Sequence, residues 1–487
     1  MPNVLTLAPG DDVGVVLDEG GPVPRGHKVA LKDIASGAPV RKYGQVIGAA
    51  TAPITAGDHV HTHNLRFAPE LRGDSAYDTH TQTLRPSGDT PVFDGFVRDD
   101  GRVGTRNYIG IVTSVNCSAT VAKLIAREAE KRLLDSYPNV DGVVALTHAG
   151  GCGMTLDGEG PDTLRRTLQG YAEHPNFAGI LAVGLGCEVN QLQDLKLAAG
   201  PNPVAEMTIQ DTGGTSATVR KGLEELSELL AAADAARRTP VPVSRLILGL
   251  NCGGSDGYSG ITANPALGAA VDLLAGYGGT AVLGETPEIY GAEHLLINRA
   301  VTPAVGDAIR ERISWWERYA SAGGGTLDAN PSPGNKAGGI TTIAEKSLGA
   351  VAKGGTTPLR AVYKYAEPVT ENGFVFMDTP GYDPVSVTGI VAGGAQVVCF
   401  TTGRGSVFGG KPAPSLKLCS NSETYRHMIE DMDVNCGEIA DGAASVEEMG
   451  RRVFDLIVAT ASGERTASER LGFGEEEFTP WQLGTVF

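Results

Sequence analysis

His59, His61 and His63 fall within five residues of a chain that holds nine histidines, in the stretch HVHTHN. On an extended strand successive side chains alternate faces, so this spacing points all three imidazoles to one side. Imidazole titrates near neutral pH, and such a row could ligate a metal or transfer protons. His27 is the one other histidine of the first 67 residues, and Lys28, Lys42 and Tyr43 add groups able to act as acids or bases. A solvated strand face would give the same pattern with no chemistry. Cys117, Cys152 and Cys187 form a second set, each 35 residues from the next. Thiolates are soft metal ligands, although in Gly151-Cys152-Gly153 and Gly186-Cys187 the thiol could equally be a small apolar residue in a tight turn. Carboxylates at Glu188, Asp256, Glu285 and Glu288 could bind a metal, carry protons or cap helices. Arg102, Arg106, Arg404 and Lys411 could hold an anionic ligand or sit in surface ion pairs. Asn116 and Ser255 add polar groups in the turns after two apolar runs.

These residues need a scaffold that brings them together. Residues 1 to 67 alternate apolar and polar positions between Gly and Pro turns, as in NVLTLA, DVGVVL and QVIGAAT, which predicts an all-β module. Residues 68 to 107 have few repeating apolar positions, so the domain boundary is expected there. Beyond them the runs YIGIV, GVVAL and GILAV each lead into a cysteine-bearing turn, with helical stretches between. Strand, turn and helix in alternation imply parallel strands, whose carboxyl ends gather ligands. All three cysteines are therefore expected on one rim. An amphipathic helix is expected over residues 219 to 237, and TPVPVS breaks the chain before a second α/β segment. There NCGGSDG echoes Asn116-Cys117, and its glycine-rich turn could cradle a carboxylate on backbone N–H groups. It lacks the lysine of a nucleotide loop and the GxGxxG order of a dinucleotide site. Residues 321 to 358, rich in Gly, Pro and Ser and carrying Lys336 and Lys346, read as a mobile loop over a site. The expected organisation is α/β: a small all-β domain at 1–75, a linker at 76–100, and α/β domains with mainly parallel sheets at 101–238 and 239–487.

A net charge of −17 disfavours nucleic acid and anionic membrane as partners, since both need a basic face. Hydrophobic residues at 41% and charged residues at 20% fit an ordinary globular protein. Seven cysteines without a secretory leader imply reduced thiols, hence the cytoplasm. No apolar run approaches the roughly 20 residues that span a bilayer.

The stretches GHKVAL, KYGQVIGAA, VHTHNL, FDGFVRDDGRVGTRNYI, GGCGM, GLGCE, NCGGSDGYSGITANPALG, GETPEIYGAEHLL, TTGRGSVFGGKPAPSLKL and DMDVNCG run in that order from about residue 15 to about 442. Together they resemble the altronate and galactarate dehydratase family. The resemblance implies an N-terminal β-clip domain of the SAF type, shared with antifreeze and sialic acid synthase modules, followed by an α/β catalytic region. It also implies a lyase that uses Fe²⁺ or Mn²⁺ to remove water from a sugar acid, leaving a 2-keto-3-deoxy acid. A relative cleaves sulfite from sulfolactate, often with the two parts on separate chains, and their fusion here favours the sugar-acid branch. His59 stands where the resemblance leads one to expect a bulky residue, so His61 and His63 take precedence over it.

Removing a proton beside a carboxylate creates an enediolate-like dianion, which a bound cation stabilises. The expected metal ligands are drawn from His61, His63, Cys152, Cys187, Glu188 and Glu285. A base takes the proton at carbon 2 and an acid protonates the hydroxyl leaving carbon 3; His27, His61, His63, Lys28, Lys42 and Tyr43 are the candidates. Arg102, Arg106, Asn116, Ser255, Asp256, Arg404 and Lys411 would hold the substrate. The alternatives are a dehydratase with an iron–sulfur cluster on Cys117, Cys152 and Cys187, a sulfolactate sulfo-lyase, an NAD-dependent oxidoreductase, which the missing fingerprint disfavours, and a non-catalytic sugar-acid sensor. A homodimer is expected.

Overall fold

Two small antiparallel sheets build the N-terminal module of the computed structural model, which describes residues 3–18, 20–71, 86 and 88–484. One holds Val4–Leu5, Val13–Val16, Lys28–Ala30 and His59–Val60, the other Pro39–Lys42, Gln45–Ala50 and Leu65–Arg66. Lys42 pairs with Gln45 across Tyr43-Gly44, and these two turn residues have φ of 60° and 70°. Positive φ at both positions is the hairpin turn that matches strand twist, and tyrosine is an uncommon occupant of it. The histidine row departs from the expected strand. Extended structure stops at Val60, and His61 opens a turn in which Asn64 and Leu65 donate to its carbonyl oxygen at 3.0 and 2.9 Å. The Asn64 side chain fixes that turn, accepting from His61 N at 2.9 Å and donating to His59 O at 3.0 Å.

The span expected as linker contains a strand, Val92–Val97, which pairs antiparallel with Arg238–Pro242 and Val103–Gly104. Residues 76–85 and 87 of that span lie outside the described residues. The middle region is a parallel sheet ordered Gly142–Leu146, Tyr108–Thr113, Phe177–Gly184, Val204–Thr208. Helices Ala119–Arg132, Glu159–Ala172 and Thr215–Asp234 accompany it. The last of these covers most of the stretch expected to be helical. The C-terminal region is a seven-stranded sheet, parallel throughout, ordered Leu359–Tyr363, Gly373–Met377, Thr280–Leu283, Ile247–Cys252, Val397–Thr402, Ser415–Cys419, Val434–Asn435. Its inner strands are nearly continuous apolar runs, as strands covered on both faces require.

One core joins the two α/β regions. Leu164, Leu168 and Tyr171 pack with Val387, Val391 and Phe400. At Gly170 a Cβ would lie 2.3 Å from Ala392 O, so glycine lets the helices Glu159–Ala172 and Asp383–Ala392 meet. The β-module shares a core with the C-terminal region through Ile34, Val40, Ile47 and Leu348. Leu348 belongs to helix Ile343–Ala350, which lies within the stretch expected to be a mobile loop. That expectation is corrected by burial: seven of the helix's eight residues are buried, and Thr342 caps it by accepting from Glu345 N at 3.2 Å. No helix among the described residues is long and apolar enough to cross a membrane.

Candidate active site

The β-module meets the C-terminal region at a buried ion trio. Glu345 accepts from Lys28 Nζ at 2.8 Å and from Lys42 Nζ at 2.9 Å, all three side chains being at most 2% exposed. Thr341 adds its N–H and hydroxyl to the same carboxylate at 2.9 and 2.7 Å. Burial would raise Glu345, but the two lysines outweigh it and hold the carboxyl far below its ordinary range. The lysines diverge. Burial lowers Lys28 to about 8, with Glu345 opposing and Lys42 adding repulsion. Burial also disfavours charge on Lys42, but Glu345 and Tyr43 outweigh it and raise this group. One carboxylate thus holds one lysine firmly and a second weakly. Both amines are enclosed, and Lys28 and Lys42, expected as acids or bases, are placed in ion pairs that tie the module to the C-terminal region.

The imidazoles sit beside this trio. His59 lies at the centre of the cluster, its ring centroid 5.1 Å from His27, 5.3 Å from His61 and 5.6 Å from His63. His27 Nε2 faces Ala337 O at 3.1 Å and its Nδ1 faces His59 Nε2 at 3.0 Å. A carbonyl can only accept, so neutral His27 carries its proton on Nε2 and accepts at Nδ1. The proton between the rings then belongs to His59 Nε2, which leaves His59 Nδ1 as an unprotonated base. By the same reasoning His61 Nε2 donates to Lys336 O at 2.8 Å and its Nδ1 is the acceptor. Burial lowers His27 and His61, each against the pull of its carbonyl. Burial and the three neighbouring histidines take His59 down to about 4. These three rings are therefore neutral at pH 7. His63 is exposed at the outer edge.

A third group lies at the carboxyl ends of the central strands. Cys252, Glu285 and Glu288 are buried, and their ligand atoms all lie within 4.8 Å of one another. Lys353 Nζ stands 2.7 Å from Cys252 Sγ and 3.2 Å from Glu285 Oε2, while Lys346 Nζ donates to Glu288 at 2.7 Å. Burial and the Glu288 charge push Glu285 up to about 8. Burial would do the same to Glu288, but Lys346 and Lys353 outweigh it and lower this carboxyl. Glu285 has φ of 68°, a left-handed backbone that favours glycine. Its Oε1 is buried with no hydrogen-bond partner, a costly state that a cation would relieve. One sulfur and two carboxylates are a donor set for a divalent metal ion, so the residues fit such an ion in the place of the Lys353 ammonium. A narrow cleft lined by Lys42, Tyr43, Ser255, Asp256, Glu345 and Lys346 runs between this group and the module.

Several expected residues are occupied elsewhere. Arg106 is corrected by its own hydrogen bonds: all five guanidinium N–H groups are taken, two by Glu469 and one each by Thr105 O, Thr460 O and Glu464 O. Arg102 bonds Asp100 and Asn202. Glu188 closes its own turn, accepting from Ser114 Oγ, Leu185 N and Gly186 N at 2.5, 3.1 and 2.6 Å, so its carboxylate is committed within the middle domain. Asp256 is saturated by Ser259, Ser420, Tyr258 N and Asn421, and Lys411 pairs with Glu475. Arg404 is different. It is exposed, without a side-chain partner among the described residues, and its Cβ and Cδ lie 3.4 and 3.3 Å from positions a side chain would take on Gly254 and Gly338. Asn116 donates to His148 O in the middle domain, where Cys117, Cys152 and Cys187 are exposed on one rim. Glu345, Lys353 and Cys252 are the site residues that sequence reasoning did not put forward, and His59, which it ranked below His61 and His63, lies at the centre of the cluster. Thr342-x-x-Glu345 is a helix-start signature that would have placed the first.

Residues 3–68 match the family model described as altronate/galactarate dehydratase SAF domain, 95–234 that of D-galactarate dehydratase/altronate hydrolase, second domain, and 243–486 that of D-galactarate/altronate dehydratase, C-terminal. The chain is 35% identical to altronate dehydratase of Bacillus subtilis, covering 95% of this chain and 92% of the relative. It is 37% identical to galactarate dehydratase (L-threo-forming) of Escherichia coli, over 92% and 88%. It is 33% identical to (2R)-sulfolactate sulfo-lyase subunit beta of Chromohalobacter salexigens, over 79% and 96%.

Proposed function

The chain belongs to the altronate/galactarate dehydratase family and is a hydro-lyase acting on a sugar acid, and we propose that it removes water from a hexonate or hexarate of the altronate or galactarate type, leaving a 2-keto-3-deoxy acid. The imidazole cluster carries this reading: carbonyl-fixed tautomers leave unprotonated nitrogens on His59 and His61 in rings kept neutral at pH 7. A neutral imidazole takes the proton from carbon 2. The imidazolium so formed returns a proton to the hydroxyl leaving carbon 3. The cluster ends neutral, as it began, and the products are water and an enol that rearranges to the 2-keto acid. Arg404, exposed above the glycine turns, binds the substrate carboxylate through its planar fork. Lys28, Lys42 and Glu345 hold the imidazoles against the C-terminal region. A divalent ion held by Cys252, Glu285 and Glu288 would supply positive charge for the oxygens that become negative as carbon 2 loses its proton.

The test is incubation of the protein with altronate, galactarate and their epimers, with Fe²⁺ or Mn²⁺ added, reading 2-keto acid. Turnover of at least one hexonate or hexarate is expected. Release of sulfite from sulfolactate with no 2-keto acid from any sugar acid would replace this reading with the sulfo-lyase one that the Chromohalobacter relative supports.

A further inference from the structure

The middle domain carries three exposed thiols, Cys117, Cys152 and Cys187, for which the elimination has no use. Each lies in the first turn beyond a parallel strand, respectively Tyr108–Thr113, Gly142–Leu146 and Phe177–Gly184. Tyr108–Thr113 runs between the other two. Neighbouring strands lie about 4.8 Å apart, so the three turns begin within about 10 Å of one another. Their backbones then interlock: Asn116 N donates to Gly150 O at 3.0 Å, Asn190 N to Gly151 O at 3.1 Å, and Asn190 Nδ2 to Ser114 O at 2.9 Å. A Cβ on Gly151 would lie 2.3 Å from Ser114 O, so glycine is what seats the Cys152 turn against the Cys117 turn. Two observations point to a ligand. The other four cysteines are buried, the usual state of a free thiol, while these three are open to solvent. Asn190 is fully buried beneath them with Oδ1 unpartnered.

We propose that Cys117, Cys152 and Cys187 hold an iron–sulfur cluster. Among the described residues the trio of possible metal ligands within 4.8 Å is Cys252, Glu285 and Glu288, so the rim sulfurs are spread wider than that. Two sulfurs bound at about 2.3 Å to one ion lie at most about 4.6 Å apart, so as placed the three rim sulfurs do not converge on a single ion. A cluster presents several irons, each taking its own thiolate. Loading is ligand exchange: three cysteine thiols lose their protons, three iron–sulfur bonds form, the small thiolates that delivered the cluster leave with those protons, and no electron moves. Three protein thiolates leave one iron of a four-iron cluster without a protein ligand, and the adjacent turns line a cleft through Asn116, Thr147 and His148.

The experiment is anaerobic transfer of a preassembled four-iron cluster, carried by a small thiol, to the full chain. Expected are about four irons and four labile sulfides per chain with brown visible absorption, and at least tenfold less of each in Cys117→Ser/Cys152→Ser/Cys187→Ser at unchanged melting temperature. Should that variant misfold, alkylation of the wild type decides, with the three rim cysteines protected at least tenfold after loading. Equal uptake by a folded triple variant, iron without sulfide, or unprotected rim thiols would overturn the proposal. None of these readouts depends on dehydratase turnover, so the proposed elimination stands or falls separately.

Discussion

Glu345→Gln tests whether the ion trio holds the two parts of the site together. The amide keeps the size of the carboxylate but presents N–H to one of the lysines and removes the negative charge from both. Lys28, already at about 8, loses its proton at pH 7 for about 1.4 kcal/mol per pKa unit and neutralises first. Lys42, raised above the ordinary lysine value by Glu345 and Tyr43, has no such release and is left charged in a site 2% exposed. Removing one partner of a buried pair costs about 3–5 kcal/mol. The two contributions give a loss of about 4–6 kcal/mol. Urea unfolding at pH 7 measures it, and hydrogen exchange over residues 3–71 shows whether the loss falls on the module. A loss below about 1 kcal/mol would refute the argument, because it would mean that the carboxylate does not neutralise the lysines. The companion variant Lys28→Met/Lys42→Met/Glu345→Leu replaces all three ions with apolar groups of similar volume. It is expected within about 1 kcal/mol of wild type, since such exchanges are often neutral or stabilising. If it is as unstable as Glu345→Gln, packing rather than charge governs the junction.

His59→Ala and His61→Ala should each lower kcat by about 10²–10⁴-fold, the usual effect of a positioned acid or base, while the melting temperature holds; turnover within threefold of wild type in both would remove the cluster from the chemistry. The pH–rate profile should keep its activity below the ordinary histidine pKa of about 6.5, because burial lowers His27 and His61 and takes His59 to about 4 and a lowered pKa keeps the base free of its proton in more acid solution. An acid limb at or above pH 6.5 counts against imidazole as the base. Cys252→Ser and Glu285→Gln should weaken binding of Fe²⁺ or Mn²⁺ more than tenfold by calorimetry, whereas equal loss from His61→Ala alone would move the metal to the histidines.

The local parts of the fold were legible in the sequence. Runs such as YIGIV and GILAV are apolar and rich in β-branched residues, and a cysteine-bearing turn follows each, so parallel strands and a shared cysteine rim follow from patterns only a few residues long. The histidine row was legible as a cluster but not in its geometry, because the Asn64 side chain ends the strand at Val60 and no period-two pattern encodes that. The junction was out of reach for a different reason. Lys28 and Glu345 are 317 residues apart, and an ion pair that far apart leaves no spacing to read. Arg106 failed in the same way, since its partners Thr460, Glu464 and Glu469 lie more than 350 residues away. An arginine before a strand looks free until the chain that surrounds it is known.

Helix Ile343–Ala350 explains why neither α/β region suffices for the site. Adjacent helix residues point about 100° apart, so Glu345 and Lys346 face different groups. Glu345 binds the two lysines of the β-module, and Lys346 binds Glu288 and Asn330 beside Cys252 and Glu285. The helix is buried along seven of eight residues and cannot turn one side chain without moving the other. Lys346 is the largest of the charges that keep Glu288 ionised against burial. Seating of the module through Glu345 therefore sets the position of the ammonium that fixes the charge of a candidate metal ligand. Withdrawal of the module would strip Glu345 of both counterions at once, and the rearrangement that follows would pass through the same helix to Glu288. The imidazoles, carried by the module, and the acidic group, carried by the C-terminal region, are thus tied to adjacent residues of one helix.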